Sequence, residues 1–299
     1  MREEIRSIQD AMERQGYITD RATATAAYLA MTLRKPLLIE GHPGVGKTEM
    51  AKVLSRMLGT ELIRLQCYEG LDVATALYEW NYPKQLLHIK LDAGSDHSIR
   101  EKEAEIFSES FLLERPLLRA IRSTERSPVL LIDEVDRSDE EFEAFLLEVL
   151  SDYQVTIPEI GTVKATHTPY VVLTSNRTRE LSEALRRRCL YLWVEYPTLA
   201  KELSIVRAKV PGIDAELARR VTAVIQSVRR QRLSKVPGVA ETLDWACALV
   251  TLHADVLSAD IVNETLGCFL KDESDMRVVA ADIAMRGLDA LVTEGAGAA

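Results

Sequence analysis

The sequence contains no long apolar run and no clustered cysteines. No stretch approaches the roughly 20 apolar residues that a membrane-spanning helix needs. The first 17 residues carry charges throughout, unlike a secretory signal. The four cysteines include no CxxC pair and no histidine at metal-ligand spacing; they are Cys67, Cys189, Cys247 and Cys268. We therefore expect a cytoplasmic protein with reduced, mostly buried thiols and no membrane contact.

The sequence has fewer positively than negatively charged residues. The chain has 37 Lys and Arg against 46 Asp and Glu, a net charge of −9. Affinity for nucleic acid rests largely on cations that neutralise phosphates. The balance therefore argues against a dedicated nucleic-acid binder, although it leaves room for a local basic groove. Apolar residues at 47% and charged residues at 28% are typical of a folded globular protein.

The apolar patterns divide the chain into an α/β part and a helical part. Short continuous apolar runs, typical of strands buried in a parallel sheet, lie at 36–40, 62–66, 129–132, 170–174 and 190–194. A hairpin is expected within 153–168. Only helical patterns follow Pro197. The prediction is a three-layer αβα domain with a parallel sheet over 1–198, followed by a small all-helical domain over 199–299.

A glycine-rich segment between the first predicted strand and a helix fits the pattern GxxxxGK[ST] at 41–48. Glycines allow backbone N–H groups to approach phosphate oxygens at a helix N-terminus, whose dipole favours anions. Lys47 is expected to reach the β- and γ-phosphates of a nucleotide, and the Thr48 hydroxyl to ligate Mg²⁺. The residues expected to bind the nucleotide are the motif residues and the one that follows them: Gly41, His42, Pro43, Gly44, Val45, Gly46, Lys47, Thr48 and Glu49.

Two acidic residues follow the third predicted strand. Asp133 is expected to hold Mg²⁺, through water, and Glu134 to act as the general base that activates the attacking water. A solvated strand end is the alternative for such a pair taken alone. An acid beside the metal ligand favours hydrolysis, because P-loop kinases keep water out of their sites.

Polar residues between the fourth and fifth predicted strands are further candidates. Asn176 can orient the lytic water or contact the γ-phosphate, or it can be an ordinary turn residue or helix cap. Of the three arginines before the last strand, Arg188 is the candidate arginine finger and Arg187 the fallback. The alternative for this cluster is a solvated face.

Together, these motifs and their order resemble an AAA+ ATPase over nearly the whole chain, with the helical part resembling its lid. Within that family, the order of the elements, including the hairpin before Asn176, resembles that of the MoxR group. The segments at 65–72 and 77–82 look most like the CoxD-like subgroup, which accompanies maturation of carbon-monoxide dehydrogenase. In this resemblance Gln66 matches the polar residue that restrains the catalytic glutamate.

The resemblance implies ATP and Mg²⁺ as ligands and a homo-oligomeric ring, expected to contain six subunits. It also implies a client protein, such as a molybdenum hydroxylase awaiting its cofactor, and a von Willebrand A-domain partner. Nucleic acid is not an expected partner. The alternatives are a DNA-directed AAA+ motor or loader and a nucleotide-gated switch with little turnover.

One position departs from the MoxR pattern. Where the lid usually offers an arginine to the γ-phosphate, Glu241 fills the slot. Arg229, Arg230 or Arg232 can replace that arginine, but a solvated helix end is the preferred interpretation of this cluster.

Three alternating aromatic residues, Tyr78, Trp80 and Tyr82, predict a strand with one aromatic face. That strand is expected either to contact a client or to pack on the domain's own core.

Overall fold

The computed structural model of the protein describes residues 2–91, 98–254 and 256–297. Nine strands lie in these ranges: β1 (Leu37–Gly41), β2 (Leu62–Gln66), β3 (Tyr78–Trp80), β4 (Leu112–Glu114), β5 (Val129–Asp133), β6 (Gln154–Ile157), β7 (Gly161–Lys164), β8 (Tyr170–Ser175) and β9 (Leu190–Val194). No helix in the described ranges combines the length and apolarity that a bilayer span requires.

Five strands form one sheet in the order β2-β5-β8-β1-β9. The pairings of β1 with β8, β8 with β5, and β5 with β2 are all parallel. Every residue of β1 and β5 is buried, as expected for strands covered on both faces by helices. The predicted P-loop α/β fold with a parallel sheet is confirmed, and all five apolar runs lie in this sheet.

The described helices alternate with these strands and then continue alone to the end of the chain. They are α1 (Arg2–Arg14), α2 (Arg21–Leu33), α3 (Lys47–Leu58), α4 (Val73–Ala76), α5 (Tyr82–Leu91), α6 (Ile99–Ile106), α7 (Pro116–Ile121), α8 (Glu140–Asp152), α9 (Glu183–Arg188), α10 (Leu199–Lys209), α11 (Ala215–Val228), α12 (Val239–Thr251), α13 (Ala259–Phe269), α14 (Glu273–Arg286) and α15 (Leu288–Ala296).

The chain forms two compact units. The first comprises Met1–Ile8, Arg21–Glu40 and Met50–Leu192, and the second comprises Gln9–Asp20, Gly41–Glu49 and Trp193–Ala299. The glycine-rich segment thus groups with the helical part. The domain division at 198/199 remains a prediction.

The first unit has a core built from the inner faces of the sheet and its helices. Leu38, Leu130 and Leu173 from three strands pack with Phe142 and Leu146 of α8. The expected hairpin is present: β6 and β7 pair antiparallel, with Val155 opposite Val163. A second small antiparallel pair, β3 with β4, lies in the segment between β2 and β5.

The second unit has its own apolar core among α10 to α15. Trp245 and Phe269, both fully buried, have ring centroids 4.4 Å apart. Helices α11 and α15 approach so closely that a Cβ on Gly295 would lie 1.8 Å from the Ala223 carbonyl oxygen. The predicted helical pattern over 274–292 is divided into α14 and α15, because Gly287 adopts φ +80°, which ends a right-handed helix. Every regular element in the described residues after Leu199 is a helix, as predicted.

Candidate active site

The glycine-rich loop leaves the end of β1 and leads directly into α3. Gly44 and Gly46 have φ of +73° and +93°, values that side-chain-bearing residues rarely adopt. A Cβ on Gly46 would meet nothing within 4 Å, so the backbone there is accessible to a ligand. The buried Lys47 Nζ donates to the carbonyl oxygens of Gly41 and His42, at 2.8 and 2.7 Å. Lys47 therefore folds over the loop that the motif assigns to phosphate.

These features fit the phosphate groups of a nucleotide. The loop has glycine backbone where Cβ atoms would be strained or would clash, a lysine above it, and a helix N-terminus behind it. No group of three or more His, Cys, Asp or Glu side chains suited to a metal occurs in the described residues.

Within the second unit the loop contacts aromatic residues at the end of β9 and just after it. The His42 ring stacks on Tyr196, with centroids 4.4 Å apart and planes 9° apart, and meets the edge of Trp193 at 5.8 Å. Its Nε2 lies 3.8 Å from the Glu195 carboxylate. The aromatic contacts of the His42 ring therefore help to hold the loop in place.

The N-terminus of α12 contacts the same loop. The Ala240 amide donates to the Gly44 carbonyl oxygen at 3.1 Å. Glu241, in the slot of the usual lid arginine, accepts from the Gly238 amide at 2.9 Å and so caps its own helix. A Cβ on Gly44 would lie 2.9 Å from that carboxylate. Glu241 therefore contributes to helix capping and loop packing.

Arg229 corrects the preferred interpretation of its cluster. Its side chain is only 7% exposed and forms a two-pronged ion pair with the fully buried Glu202, at 2.7 and 2.6 Å. It also donates to the Pro237 carbonyl oxygen at 2.7 Å and lies 4.9 Å from the Tyr196 ring centroid. A solvated helix end is wrong for Arg229, because its guanidinium is committed to a buried network.

In the first unit, Asp133 and Glu134 form a connected group with Thr174. The Thr174 hydroxyl donates to Asp133 Oδ1 at 2.5 Å and accepts from the Glu134 amide at 2.9 Å. Asp133 is 2% exposed and ends β5. Glu134 adopts φ +55° and ψ +49°, a left-handed conformation that is uncommon outside glycine and frequent at functional sites.

Gln66 and Glu134 are brought into contact. Gln66 ends β2 in register with Asp133, and its Nε2 donates to Glu134 Oε2 at 3.2 Å. Arg137 lies on the same carboxylate, with its Nε 3.3 Å from Oε2. The Glu134 carboxylate is thus held by two side-chain partners.

Sequence reasoning missed two further residues that bond to candidate site residues. Arg64 donates to Asp133 Oδ2 from Nε and Nη2, at 3.0 and 2.6 Å. Asp136, which is 2% exposed, accepts from the Asn176 amide at 3.2 Å and from the Thr178 amide at 2.8 Å. A carboxylate two positions after Glu134 was the available signal for Asp136. Its bonds fix the loop in which Asn176 follows β8.

The Cys67 thiol lies near these carboxylates. Burial, followed by the charges of Asp133, Asp136 and Glu134, raises the pKa of the Cys67 thiol to about 12. Cys67 is buried, whereas Cys189 and Cys268 are half-buried and Cys247 is exposed. The expectation of mostly buried thiols is therefore wrong, although all four are free. Neighbouring carboxylates provide the potential that a cation site requires.

The arginine-finger candidates lie at the end of α9. The exposed Arg188 donates from Nη1 to the Ser151 hydroxyl, and Arg187 pairs with Glu183 on its own helix. Cys189 caps the helix, and the last strand begins at Leu190, as predicted.

The predicted aromatic strand is only partly present. β3 ends at Trp80, and Tyr82 begins α5, so the three rings do not share one strand face. Trp80 is 7% exposed and packs edge-on against Phe107, with centroids 5.4 Å apart. Core packing is therefore the correct interpretation for Trp80, whereas Tyr82 is exposed.

The chain is similar in sequence to known proteins. The chain is 25% identical over 258 residues to replication factor C subunit 1 of Oryza sativa subsp. japonica, covering 83% of this chain and 21% of that protein. It is 25% identical over 271 residues to an uncharacterized protein of Staphylococcus epidermidis, covering 87% and 94%. It spans 62% of an uncharacterized Staphylococcus aureus protein, so it covers less than two thirds of some relatives.

A solved structure of a Thermotoga maritima RuvB variant shares the fold, with a TM-score of 0.51 and 18% identity, covering 97% of this chain and 81% of that one. The AAA domain of the dynein-related subfamily matches residues 36–189. This match covers more than half of the 299 residues and contains both the glycine-rich loop and the Asp133–Glu134 pair. The protein therefore belongs to the AAA family of ATPases, with an AAA domain of the dynein-related subfamily.

Proposed function

We propose that this protein hydrolyses ATP to ADP and phosphate and uses the reaction to remodel a client protein. The contact of the Gln66 amide with the Glu134 carboxylate, beside the buried Asp133, is the observation that carries the proposal. An acid positioned in this way serves hydrolysis, because it can accept the proton of an attacking water.

Each residue has a distinct task in the proposed reaction. The backbone of 41–46 and the Lys47 ammonium bind the β- and γ-phosphates. When bound through Thr48 and Asp133, Mg²⁺ neutralises charge on those phosphates. Glu134 takes a proton from water as the water oxygen bonds to the γ-phosphorus, and the bond from that phosphorus to the ADP oxygen breaks. Asn176 orients the water.

Gln66 gives the reaction a resting state. While its amide donates to Glu134 Oε2, one oxygen of the base is occupied. When a client engages, this bond is released. Both oxygens of the Glu134 carboxylate can then accept a proton from water. Basal turnover is therefore slow and client-stimulated.

We further propose that the active form is a homo-oligomeric ring, expected to contain six subunits. In this arrangement Arg188 of one subunit stabilises the transition-state charge at the site of its neighbour. The exposed position of Arg188 at the end of a short helix supports this role. An exposed arginine of this kind is accessible to a second subunit.

The resemblance to the MoxR group supports a protein client and a von Willebrand A-domain partner. Within that group, the CoxD-like segments at 65–72 and 77–82 favour a molybdenum hydroxylase that is acquiring its metal cofactor, such as a carbon-monoxide dehydrogenase. The location is proposed to be the cytoplasm.

A DNA-directed motor or loader is the second candidate, favoured by the similarity to replication factor C subunit 1 over 83% of this chain. The net charge of −9 disfavours it. DNA-stimulated hydrolysis that falls steeply with salt would support this candidate and contradict the client model.

The test compares Glu134→Gln with Lys47→Ala. Glu134→Gln should bind ATP and lose hydrolysis, since an amide cannot accept the proton. Lys47→Ala should lose binding, because the charge that meets the phosphates is gone. Affinity capture with Glu134→Gln in ATP, with Lys47→Ala as the matched control, should retain a protein client only on the former. Hydrolysis by Glu134→Gln at the wild-type rate would refute the role of the base.

A further inference from the structure

Arg64 lies between the metal ligand and the residue that restrains the base, yet it belongs to no nucleotide motif. It is on the edge strand β2, two residues before Gln66, so both side chains project from the same face. Its Nε and Nη2 donate to Asp133 Oδ2 at 3.0 and 2.6 Å, and its Nη2 also donates to Gln66 Oε1. One guanidinium therefore contacts both Asp133, which is assigned to the metal, and Gln66, which is assigned to restrain the base.

The two partners of this ion pair differ in exposure. The Asp133 side chain is 3% exposed and the Arg64 side chain 51% exposed. A buried carboxylate is costly unless a hydrogen-bond donor or a cation compensates it. Thr174 compensates Oδ1, and Arg64 compensates Oδ2. Solvent access to the guanidinium means that it can leave Asp133 without moving the strand.

The same carboxylate is the residue assigned to Mg²⁺. A guanidinium and a divalent cation beside one carboxylate repel each other, and both are attracted to its negative charge. Arg64 in its observed position therefore weakens the binding of Mg²⁺ at Asp133. Because it also bonds to Gln66 Oε1, its departure changes the partners of the amide that faces Glu134.

We propose that Arg64 is a competing cation that occupies Asp133 before Mg²⁺ binds, and that the metal must displace it. Arg64 thereby sets the magnesium concentration at which nucleotide binds tightly, and its displacement couples metal arrival to the Gln66–Glu134 contact. This inference rests on the proposed function only in that Mg²⁺–nucleotide binds at Asp133; it does not require hydrolysis.

The test measures binding of a fluorescent ADP analogue as Mg²⁺ is titrated, so that turnover plays no part. Arg64→Met keeps the length of the side chain and removes the cation. It should lower the magnesium midpoint about three- to tenfold, because a half-exposed, charge-assisted pair is lost from the metal-free state only. Arg64→Lys should fall between Arg64→Met and wild type. The Arg64→Met shift should shrink at high salt, which screens the exposed guanidinium.

The matched control is Arg119→Met. Arg119 is an exposed arginine of α7 that pairs with Glu61, and its removal should leave the midpoint unchanged. Direct Mn²⁺ binding, followed by electron paramagnetic resonance in the presence of ADP, gives a second readout. It should show tighter metal in Arg64→Met.

An Arg64→Met midpoint equal to or above the wild-type value, with circular dichroism unchanged, would overturn the inference. So would a complete lack of magnesium-dependent ADP binding in the wild type. Wild-type protein that binds Mg²⁺–ADP but does not turn over ATP would refute only the proposed hydrolysis. The midpoint of Arg64→Met would then still decide the role of Arg64.

Discussion

Removal of the negative charge of Glu202 tests how the helices of the second unit are held together. Glu202 in α10 is fully buried and accepts four hydrogen bonds, two of them from the nearly buried Arg229. The other two donors are Gln226 Nε2, at 2.6 Å, and the Thr242 hydroxyl, at 2.8 Å. The carboxylate therefore joins three helices of the second unit, α10, α11 and α12, and the segment between the last two.

Glu202→Gln keeps the shape but leaves the Arg229 charge uncompensated. Loss of one partner of a buried ion pair typically costs about 3–5 kcal/mol. Because the glutamine retains one acceptor oxygen, we expect the lower end, about 3 kcal/mol. Local opening should then be favoured by about a hundredfold, since each 1.4 kcal/mol is a factor of ten.

Hydrogen exchange followed by mass spectrometry measures this directly. Peptides from α11 and α12 should exchange about a hundredfold faster in Glu202→Gln, while peptides from β5 and β8 should not change. Glu216→Gln is the control, because Glu216 pairs with Arg219 on the exposed face of α11, where such pairs contribute little.

The double variant Glu202→Gln/Arg229→Met tests the cause. With both charges removed, it should be more stable than Glu202→Gln alone, because no uncompensated charge stays buried. Exchange in Glu202→Gln within threefold of wild type would refute the argument that the buried pair holds these helices together.

Three further changes have defined outcomes. Thr174→Val removes the hydroxyl that bridges Asp133 and the following amide; steady-state assays should show a loss of turnover, with unfolding about 1–3 kcal/mol easier in urea. Arg188→Ala should lower turnover about 10³-fold or more with nucleotide affinity retained, and mixing it with Glu134→Gln should restore activity; no rescue, with turnover independent of protein concentration, would argue against shared sites. Gly295→Ala should destabilise the second unit by about 1–3 kcal/mol in urea unfolding, because its Cβ collides with a carbonyl of α11; wild-type stability would refute that packing.

The local chemistry of the candidate site could be predicted from sequence. A strand, a glycine-rich turn and a helix must be contiguous in the chain to make a phosphate loop, so GHPGVGKT carries its own structural context. The same is true of Asp133 and Glu134 after an apolar strand. The continuous apolar runs likewise predict a buried parallel sheet, because strands covered on both faces have no polar alternation.

The partners of those residues could not be predicted. Arg64 and Asp133 are 69 positions apart, and Thr174 is 41 positions from Asp133. Their contacts exist only because the sheet order places β5 between β2 and β8. No periodicity or spacing encodes that order.

The arginine cluster after α11 shows the same limit in the second unit. Read from sequence, Arg229 is one of several cations at a helix end, where the dipole favours positive charge. Only the packing of α10 places Glu202 against it and buries both. Local sequence therefore determined the phosphate loop, the acidic pair and the sheet class, because those depend on neighbouring residues. Tertiary structure alone decided which charges neutralise each other, because burial and pairing depend on residues brought from distant parts of the chain.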